Sequence, residues 1–210
     1  MNPVDILDYA GVALFAATGA LAASRKQLDI IGFLFLGAVT GIGGGTLRDL
    51  VLGVPVFWVQ QHLYLVVCAA TAVLVNFTAH LLESRYRLLL WLDAVALAAY
   101  GVFGAYKGLL VTGSATVAIA MGMLTGTFGG ILRDVLAREP SVLMRQEIYV
   151  AAALTGALAY VALRALDIGL PMAAGGAFLL ALCVRGGALA FGWTLPAYRS
   201  HPGRAPEDLR

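Results

Sequence analysis

Long apolar stretches separated by short polar ones dominate the sequence. Seven of them are long enough to cross a membrane, because a helix needs roughly 20 apolar residues to span the hydrocarbon core. The runs are too long and too continuously apolar for the alternating strands of a β-barrel. The pattern therefore predicts an all-α polytopic membrane protein with seven transmembrane helices. These spans cover residues 6–23, 28–52, 61–82, 88–110, 115–137, 146–166 and 170–191.

The composition agrees with a lipid environment and excludes several function classes. Charged residues make up 12% of the 210 residues and hydrophobic residues 60%, whereas a soluble domain carries about 25% charged residues. A net charge of +2 is too small to suggest a nucleic-acid partner. The sequence contains no cysteine–histidine cluster, nucleotide-binding loop or nucleophile–base arrangement. We therefore expect neither an enzyme nor a metal or cofactor site.

The basic residues of the loops predict the orientation of the helices, because Lys and Arg concentrate on the cytoplasmic side. One face holds loops 1–2, 3–4 and 5–6 and the C-terminal tail, with nine basic residues. The other face holds two, Lys107 and Arg164. We expect an inner-membrane protein with its N-terminus outside and its C-terminus in the cytoplasm. The nine residues are Arg25, Lys26, Arg85, Arg87, Arg138, Arg145, Arg199, Arg204 and Arg210.

The first six spans form two copies of one unit, related by a single constant offset along the chain. Each copy holds three spans, an odd number, so the second copy must enter the membrane from the opposite side. The sequence thus predicts an inverted 3+3 repeat plus a seventh helix. Its units are 1–87, 88–168, the seventh helix 169–192 and a cytoplasmic tail 193–210. Residues identical at this offset include Asp8 and Asp93, Arg48 and Arg133, Asp49 and Asp134, Pro55 and Pro140, Gln61 and Gln146, and Tyr64 and Tyr149.

Glycines cluster near the middle of the second and fifth spans, where each costs about 1 kcal/mol relative to alanine. Close helix packing through small faces would explain the pairs Gly37–Gly41 and Gly122–Gly126. It does not require three adjacent glycines, so we predict a kink or a short unwound segment in both helices. Such segments would meet near the midplane and line a polar pathway. The predicted pathway residues are Gly41, Gly43, Gly44, Gly45, Gly126, Gly129 and Gly130.

Four threonines accompany these glycines: Thr40, Thr46, Thr125 and Thr127. Their hydroxyls either add polar groups to the pathway lining or bond back to their own helix. The sequence alone leaves both alternatives open.

The charged residues near the ends of these spans need partners, because an unpaired Arg or Asp at bilayer depth costs about 2.5–3.5 kcal/mol. Neighbouring side chains diverge by about 100° on a helix. The Arg–Asp neighbours 48–49 and 133–134 are therefore not expected to pair with each other. The repeat offers other partners, and we predict contacts Asp8–Arg48 and Asp93–Arg133. Alternatively, these charges, Asp49 and Asp134 included, gate the pathway.

Two further cations lie inside apolar stretches. Lys107, near the outer end of the fourth span, is expected to snorkel to the interface. A voltage- or ion-responsive gate is the alternative role for Lys107. Arg185 in the seventh span is expected to snorkel inward or to cap a neighbouring helix.

The doubled phrase GGTLRD (44–49) and GGILRD (129–134), seven spans and a 3+3+1 plan resemble the prokaryotic trimeric intracellular cation channels. The resemblance covers residues 5–192. It implies a homotrimer in lipid, with a pore in each protomer lined by helices 2 and 5. It also implies conduction of monovalent cations, with a preference for K⁺ over Na⁺. Bacterial glycine transporters are assigned to the same sequence family, so a secondary transporter for glycine or another small amino acid is the alternative function. The Lys-Glu-Val signature of the animal channels is missing here.

Overall fold

The computed structural model describes residues 3–81, 84–142 and 148–196, and only the backbone of residues 3–7. The described residues form seven long helices. A one-turn helix, Phe57–Gln60, precedes the third long helix, and a 3₁₀ turn, Ala79–Leu81, follows it. The hydrophobic pattern did not predict the one-turn helix. The long helices are α1 Pro3–Arg25, α2 Ile30–Val51, α3 Leu63–Thr78, α4 Arg85–Thr112, α5 Ala115–Leu136, α6 Val150–Ala165 and α7 Leu170–Phe191.

Each long helix falls within a few residues of a predicted span. Among the described residues, five segments are long and apolar enough to cross a membrane, namely Ile30–Val51, Leu63–Leu81, Arg85–Thr112, Ala115–Leu136 and Leu170–Phe191. A sixth apolar helix, α6, is shorter at 16 residues. Some sequence predictions lie outside the described residues. These concern Glu83 and Leu82 between the third and fourth spans, Arg145 and Gln146 before the sixth, and the tail from residue 197, including Arg199, Arg204 and Arg210.

α2 and α5 end in the same way, directly after their Arg–Asp pairs. A residue with positive φ follows each helix, Gly53 at 66° and Arg138 at 50°. The next backbone N–H bonds back to the carbonyl of Asp49 at 3.0 Å or of Asp134 at 2.9 Å. This closure is a common way of satisfying the last carbonyls of a helix. The Arg–Asp pairs therefore occupy the last helical turn, next to the loops.

The long helices pack as two groups of three with one helix added. α1, α2 and α3 contact one another, and so do α4, α5 and α6. The groups meet where α2 crosses α5 and where α1 lies against α4, while α7 packs on α4 and α6.

Loops 1–2, 3–4 and 5–6 meet at one end of the molecule, as expected from seven consecutive spans of alternating direction. Arg25 and Lys26 pair with Glu139 at 3.5 and 2.9 Å. The Arg25 guanidinium also lies 4.4 Å from the ring centre of Tyr86, at the start of α4. We call this the basic end.

The glycine clusters do not interrupt their helices. α2 and α5 are α-helical from Ile30 to Val51 and from Ala115 to Leu136, so the predicted unwound segment is wrong. A kink that keeps the helical hydrogen bonds stays a prediction. The glycines instead allow the two helices to cross closely. A Cβ on Gly129 would stand 2.6 Å from the Thr40 carbonyl oxygen. A Cβ on Gly44 would collide with the Thr125 carbonyl, which is the repeat-related contact.

Adjacent glycines serve different neighbours, and this explains why three occur in a row. Besides the α2–α5 crossing at Gly44, Gly43 faces the Leu132 side chain, whose Cδ1 would lie 2.8 Å from an added Cβ. Gly45 faces the Phe57 ring, which would lie 2.6 Å from an added Cβ. Small-residue packing, the simpler sequence interpretation, therefore extends to the whole cluster.

Candidate functional site

The Asp49 carboxylate is fully buried at the end of α2 and forms ion pairs with basic side chains from two helices, α2 and α4. Its Oδ1 accepts from Arg48 Nε at 2.8 Å and from Lys107 Nζ at 2.9 Å. Its Oδ2 accepts from the backbone N–H of Phe57 at 3.0 Å. The guanidinium of Arg48 lies over two rings, with 5.2 Å to the centre of Phe103 and 5.8 Å to that of Phe57.

The expectation that neighbouring Arg and Asp residues do not pair is wrong in both repeats. At the end of α5, Asp134 Oδ1 accepts from Arg133 Nε at 3.0 Å and Nη2 at 2.9 Å. Its Oδ2 accepts from the backbone N–H of Val142, the repeat counterpart of Phe57, at 3.0 Å. The divergence of about 100° applies to Cβ directions. The arginine side chain is long enough to bend back toward the neighbouring carboxylate, which also accepts a hydrogen bond from the loop after the helix.

The two aspartates on α1 and α4 find different partners. Asp93 Oδ1 accepts from Arg133 Nη1 at 2.6 Å, which confirms that predicted contact. The same Nη1 donates to Thr18 Oγ1 at 3.1 Å. This cluster joins α1, α4 and α5 in the buried interior.

The predicted Asp8–Arg48 contact is wrong, since no ion pair joins these residues in the described part of the chain. Instead, two tyrosine hydroxyls donate hydrogen bonds to the Asp8 carboxylate. Tyr64 donates to Oδ2 and Tyr100 to Oδ1, both at 2.6 Å. These tyrosines come from α3 and α4, so Asp8 ties three helices together.

Lys107 and Arg185 are both held inside the protein. The Lys107 side chain is 24% exposed and pairs with Asp49, so interfacial snorkelling is wrong for it. Arg185 is fully buried, which also excludes snorkelling. Its Nη1 donates to the Ile148 carbonyl at 3.3 Å, and its guanidinium lies 5.1 Å from the ring centre of Tyr149, just before α6. A gating role for Lys107 stays a prediction.

The threonines of the glycine clusters bond to their own helices, as one of the two sequence alternatives expects, while their place in a pathway lining stays a prediction. Each hydroxyl donates to the carbonyl four residues earlier, at 2.6 to 2.8 Å. Thr46 Oγ1 also accepts from Trp58 Nε1 at 2.9 Å. Such bonds satisfy the hydroxyls within their own helix and often bend it slightly. The four are Thr40, Thr46, Thr125 and Thr127.

A cavity of about 400 Å³ opens at the end opposite the basic end. We call it the vestibule, and its end of the molecule the vestibule end. At the basic end, the positions related by the repeat to Asp8, Phe57 and Tyr64 are between 1% and 2% exposed. Among the described residues, the Asp93 cluster is therefore more deeply buried than the Asp8 cluster, although the basic end has a cavity of about 540 Å³ of its own beside Tyr86. The vestibule is lined by Asp8, Val54, Pro55, Phe57, Gln60, Gln61, Tyr64 and Lys107.

Sequence reasoning missed the hydroxyl groups of this site. Tyr64 and Tyr149 coincide in the repeat, and this identity could have marked Tyr64 as a partner of Asp8. Tyr100 and Thr18 had no such signal, because they align with Phe15 and Phe103.

The comparisons with known proteins agree with the repeated architecture. The family model described as Glycine transporter matches residues 5–80 and again 90–165, and the two matches are related by the offset that relates Asp8 to Asp93. A UPF0126 membrane protein from Vibrio cholerae is 38% identical over 92% of this chain and 82% of its own. The UPF0126 inner membrane protein YadS of Escherichia coli K12 is 42% identical, over 73% and 75% respectively.

Among solved structures, the trimeric intracellular cation channel orthologue from Rhodobacter sphaeroides is 50% identical to this chain. The alignment covers 92% of this chain and 100% of that one, with a TM-score of 0.89. The chain belongs to the trimeric intracellular cation channel family. This membership and the apolar helices identify it as a multi-pass membrane protein.

Proposed function

We propose that this chain is a channel for monovalent cations, with K⁺ preferred over Na⁺. The observation that supports it most strongly is the 50% identity to the Rhodobacter cation channel orthologue over the full length of that protein. We further propose seven membrane spans in an inverted 3+3+1 arrangement in the bacterial inner membrane. The N-terminus would lie outside, so that the vestibule opens outward and the basic end faces the cytoplasm. The reciprocal contacts Gly44–Thr125 and Gly129–Thr40 support the inverted arrangement.

The proposed pathway begins in the vestibule and is lined by α2 and α5 in each protomer, beside the point where these two helices cross in close contact. Asp8 lines the vestibule, where its carboxylate would attract cations, and Asp49 lies fully buried behind Lys107. Lys107 lines the vestibule and holds Asp49 at 2.9 Å. A fixed ammonium at this position repels an entering cation and withdraws a carboxylate from it. We therefore propose that the Lys107–Asp49 ion pair gates the vestibule end.

Planar-bilayer recording of the purified protein, with KCl on one side and NaCl on the other, tests this function. Unitary currents should appear, and their reversal potential should follow the K⁺ gradient. Lys107→Met should raise the open probability or the conductance severalfold. Lys26→Met is the matched control, because Lys26 pairs with Glu139 at the basic end. A silent bilayer or anion-selective currents would exclude the channel, and equal behaviour of the two variants would exclude the gate.

A secondary transporter for glycine is the second candidate function. It is supported by a vestibule lined by both a carboxylate, Asp8, and an ammonium, Lys107, which together suit a zwitterion. It is less supported than the channel because the ammonium already binds Asp49. Saturable uptake of labelled glycine into proteoliposomes without unitary currents would establish it.

Self-association into a trimer would cover part of the exposed apolar surface, and lipid would cover the rest. Large apolar side chains are strongly exposed on several helices, including Phe35 at 60%, Leu74 at 63% and Met172 at 75%. Light scattering of the protein in detergent should give a protein mass of three chains, and a monomer mass would contradict the trimer.

A further inference from the structure

One aromatic contact joins a residue to its own repeat counterpart. Phe15 on α1 and Tyr100 on α4 occupy the same position in the two copies. Their rings meet edge to face, with 5.5 Å between the ring centres and 87° between the ring planes. Two equivalent residues can touch only beside the axis that relates the repeats. In the proposed inverted arrangement this axis runs in the membrane plane, so the ring pair lies near the middle of the membrane.

The ring pair also lies beside the crossing of α2 and α5, where the proposed pathway passes. An ideal Cβ on Gly129, which marks the crossing, would stand 3.8 Å from Phe15 Cδ1. On α1, a Cβ on Gly11 would collide with the Tyr100 ring, so this glycine leaves the space that the ring fills. Both rings are buried, with Phe15 at 2% and Tyr100 at 3% exposure. The two rings therefore fill the interior next to the crossing.

Polar groups flank the ring pair on both sides. Toward the vestibule, the Tyr100 hydroxyl donates to Asp8 Oδ1 at 2.6 Å, and Asp8 lines the vestibule. Toward the basic end, the Thr18 hydroxyl lies about one helical turn from Phe15 and accepts from Arg133 Nη1 at 3.1 Å. Between these groups, the two rings belong to one cluster of buried apolar residues. The polar groups between the two charge clusters are thus interrupted at the rings.

We propose that the Phe15–Tyr100 ring pair is the central gate of the cation pathway. An apolar constriction excludes water, and therefore ions, from a pore. In the state described here the rings touch and separate the two charge clusters. Conduction requires α1 and α4 to move apart at this level until water passes between the rings. The gate rests on the proposed cation pathway. It acts in series with the Lys107–Asp49 ion pair, so a cation passes when both are open together.

Phe15 is the better residue to change, because Tyr100 also holds Asp8. Phe15→Ala should raise the open probability in planar bilayers severalfold, since it removes half of the apolar constriction. Phe15→Leu keeps a large apolar side chain and should stay close to the parent. Phe33→Ala is the matched control, because Phe33 is a buried ring on α2 that belongs to a different apolar cluster. Both alanine variants lose a buried ring, so general destabilisation affects them alike.

Cysteine labelling tests the seal without any need for conduction. The reporter is Thr18→Cys in a background with Cys68→Ala and Cys183→Ala, labelled in detergent with a cationic methanethiosulfonate. Thr18 is fully buried, so labelling should be slow when Phe15 is intact. Adding Phe15→Ala should speed labelling severalfold, because water and the reagent can then pass the ring position. Adding Phe15→Leu or Phe33→Ala should leave it slow. If Phe15→Ala does not fold, Phe15→Val against Phe33→Val makes the same comparison.

The gate is overturned if Phe15→Ala conducts and labels like the parent. It is also overturned if Phe33→Ala or Phe15→Leu gives equal increases, since the ring would then act only through general packing. Currents in the parent that do not change with Phe15→Ala would keep the channel and remove this gate. Silent bilayers for every variant, together with the expected labelling, would count against the cation pathway and leave the ring seal standing.

Discussion

The crossing of α2 and α5 should tolerate no side chain at Gly129. An alanine Cβ there would stand 2.6 Å from the Thr40 carbonyl oxygen, whereas real Cβ contacts are essentially never below 3.0 Å. The two backbones must therefore move apart by a few tenths of an ångström. Overpacking of this kind costs about 1–3 kcal/mol. Alanine is also the better helix former, by up to about 1 kcal/mol, and this gain partly hides the loss.

A matched substitution removes the helix-propensity term. Gly175 lies inside α7, and no heavy atom is within 4 Å of its ideal Cβ position. Gly175→Ala should therefore show only the stability gained from the higher helix propensity of alanine. The free energies of unfolding of Gly129→Ala and Gly175→Ala should differ by about 1–3 kcal/mol, which corresponds to about 2–4 °C in Tm per kcal/mol at this size.

Thermal unfolding of the two variants and the parent, purified in the same detergent, gives this comparison directly. Gly44→Ala, at the repeat-related contact, should behave like Gly129→Ala. Equal melting temperatures for Gly129→Ala and Gly175→Ala would refute the close crossing as the reason for the glycines, and would return attention to a bend in the helix.

Three further substitutions test the charge cluster and the threonines, with Glu139→Gln as the control for Asp134→Asn. Asp134→Asn should lower the free energy of unfolding by about 3–5 kcal/mol, because it removes one of the two carboxylates that neutralise the buried Arg133 guanidinium. Glu139→Gln, on a partly exposed ion pair, should cost less than about 1 kcal/mol, and comparable losses in the two variants would contradict this difference. Thr125→Val should cost about 1 kcal/mol or less and leave the K⁺/Na⁺ permeability ratio unchanged, since its hydroxyl bonds within α5. A changed ratio in bilayer recordings would mean that this hydroxyl reaches the pathway.

The helices and the repeat were predictable because both are properties of the chain itself. Hydrocarbon thickness fixes the length of an apolar span, and the constant offset between the two copies is visible without coordinates. The use of the glycines was not predictable in the same way. A glycine in a helix indicates either that the backbone leaves the helical conformation or that a neighbouring chain packs closely against it. Only the position of the Thr40 and Thr125 carbonyls on the opposite helix decides between these two explanations.

The charged site was half predictable for a related reason. The cost of burying a charge demanded a partner for Arg133, and the repeat pointed to Asp93. The same reasoning failed for Asp8, because hydroxyls of Tyr64 and Tyr100 compete for its carboxylate. The sequence offset shows which position of one repeat corresponds to which position of the other. It does not show which residues of α4 cross over to touch α1.

Much of the difference between the two ends comes from residues outside the doubled motif, whose two copies differ only at Thr46 and Ile131. Asp49 and Asp134 each bind their own arginine and a loop N–H, but Arg133 uses both Nε and Nη2, whereas Arg48 uses Nε alone. Three further pairs that differ lie on α1 and α4. On α4 they supply a hydroxyl to Asp8 and an ammonium to Asp49, so the vestibule end is satisfied without an Asp8–Arg48 bond. On α1 the counterparts supply neither, and the basic end uses the Asp93–Arg133 bond instead. The differing pairs are Phe15 and Tyr100, Thr18 and Phe103, and Ala22 and Lys107.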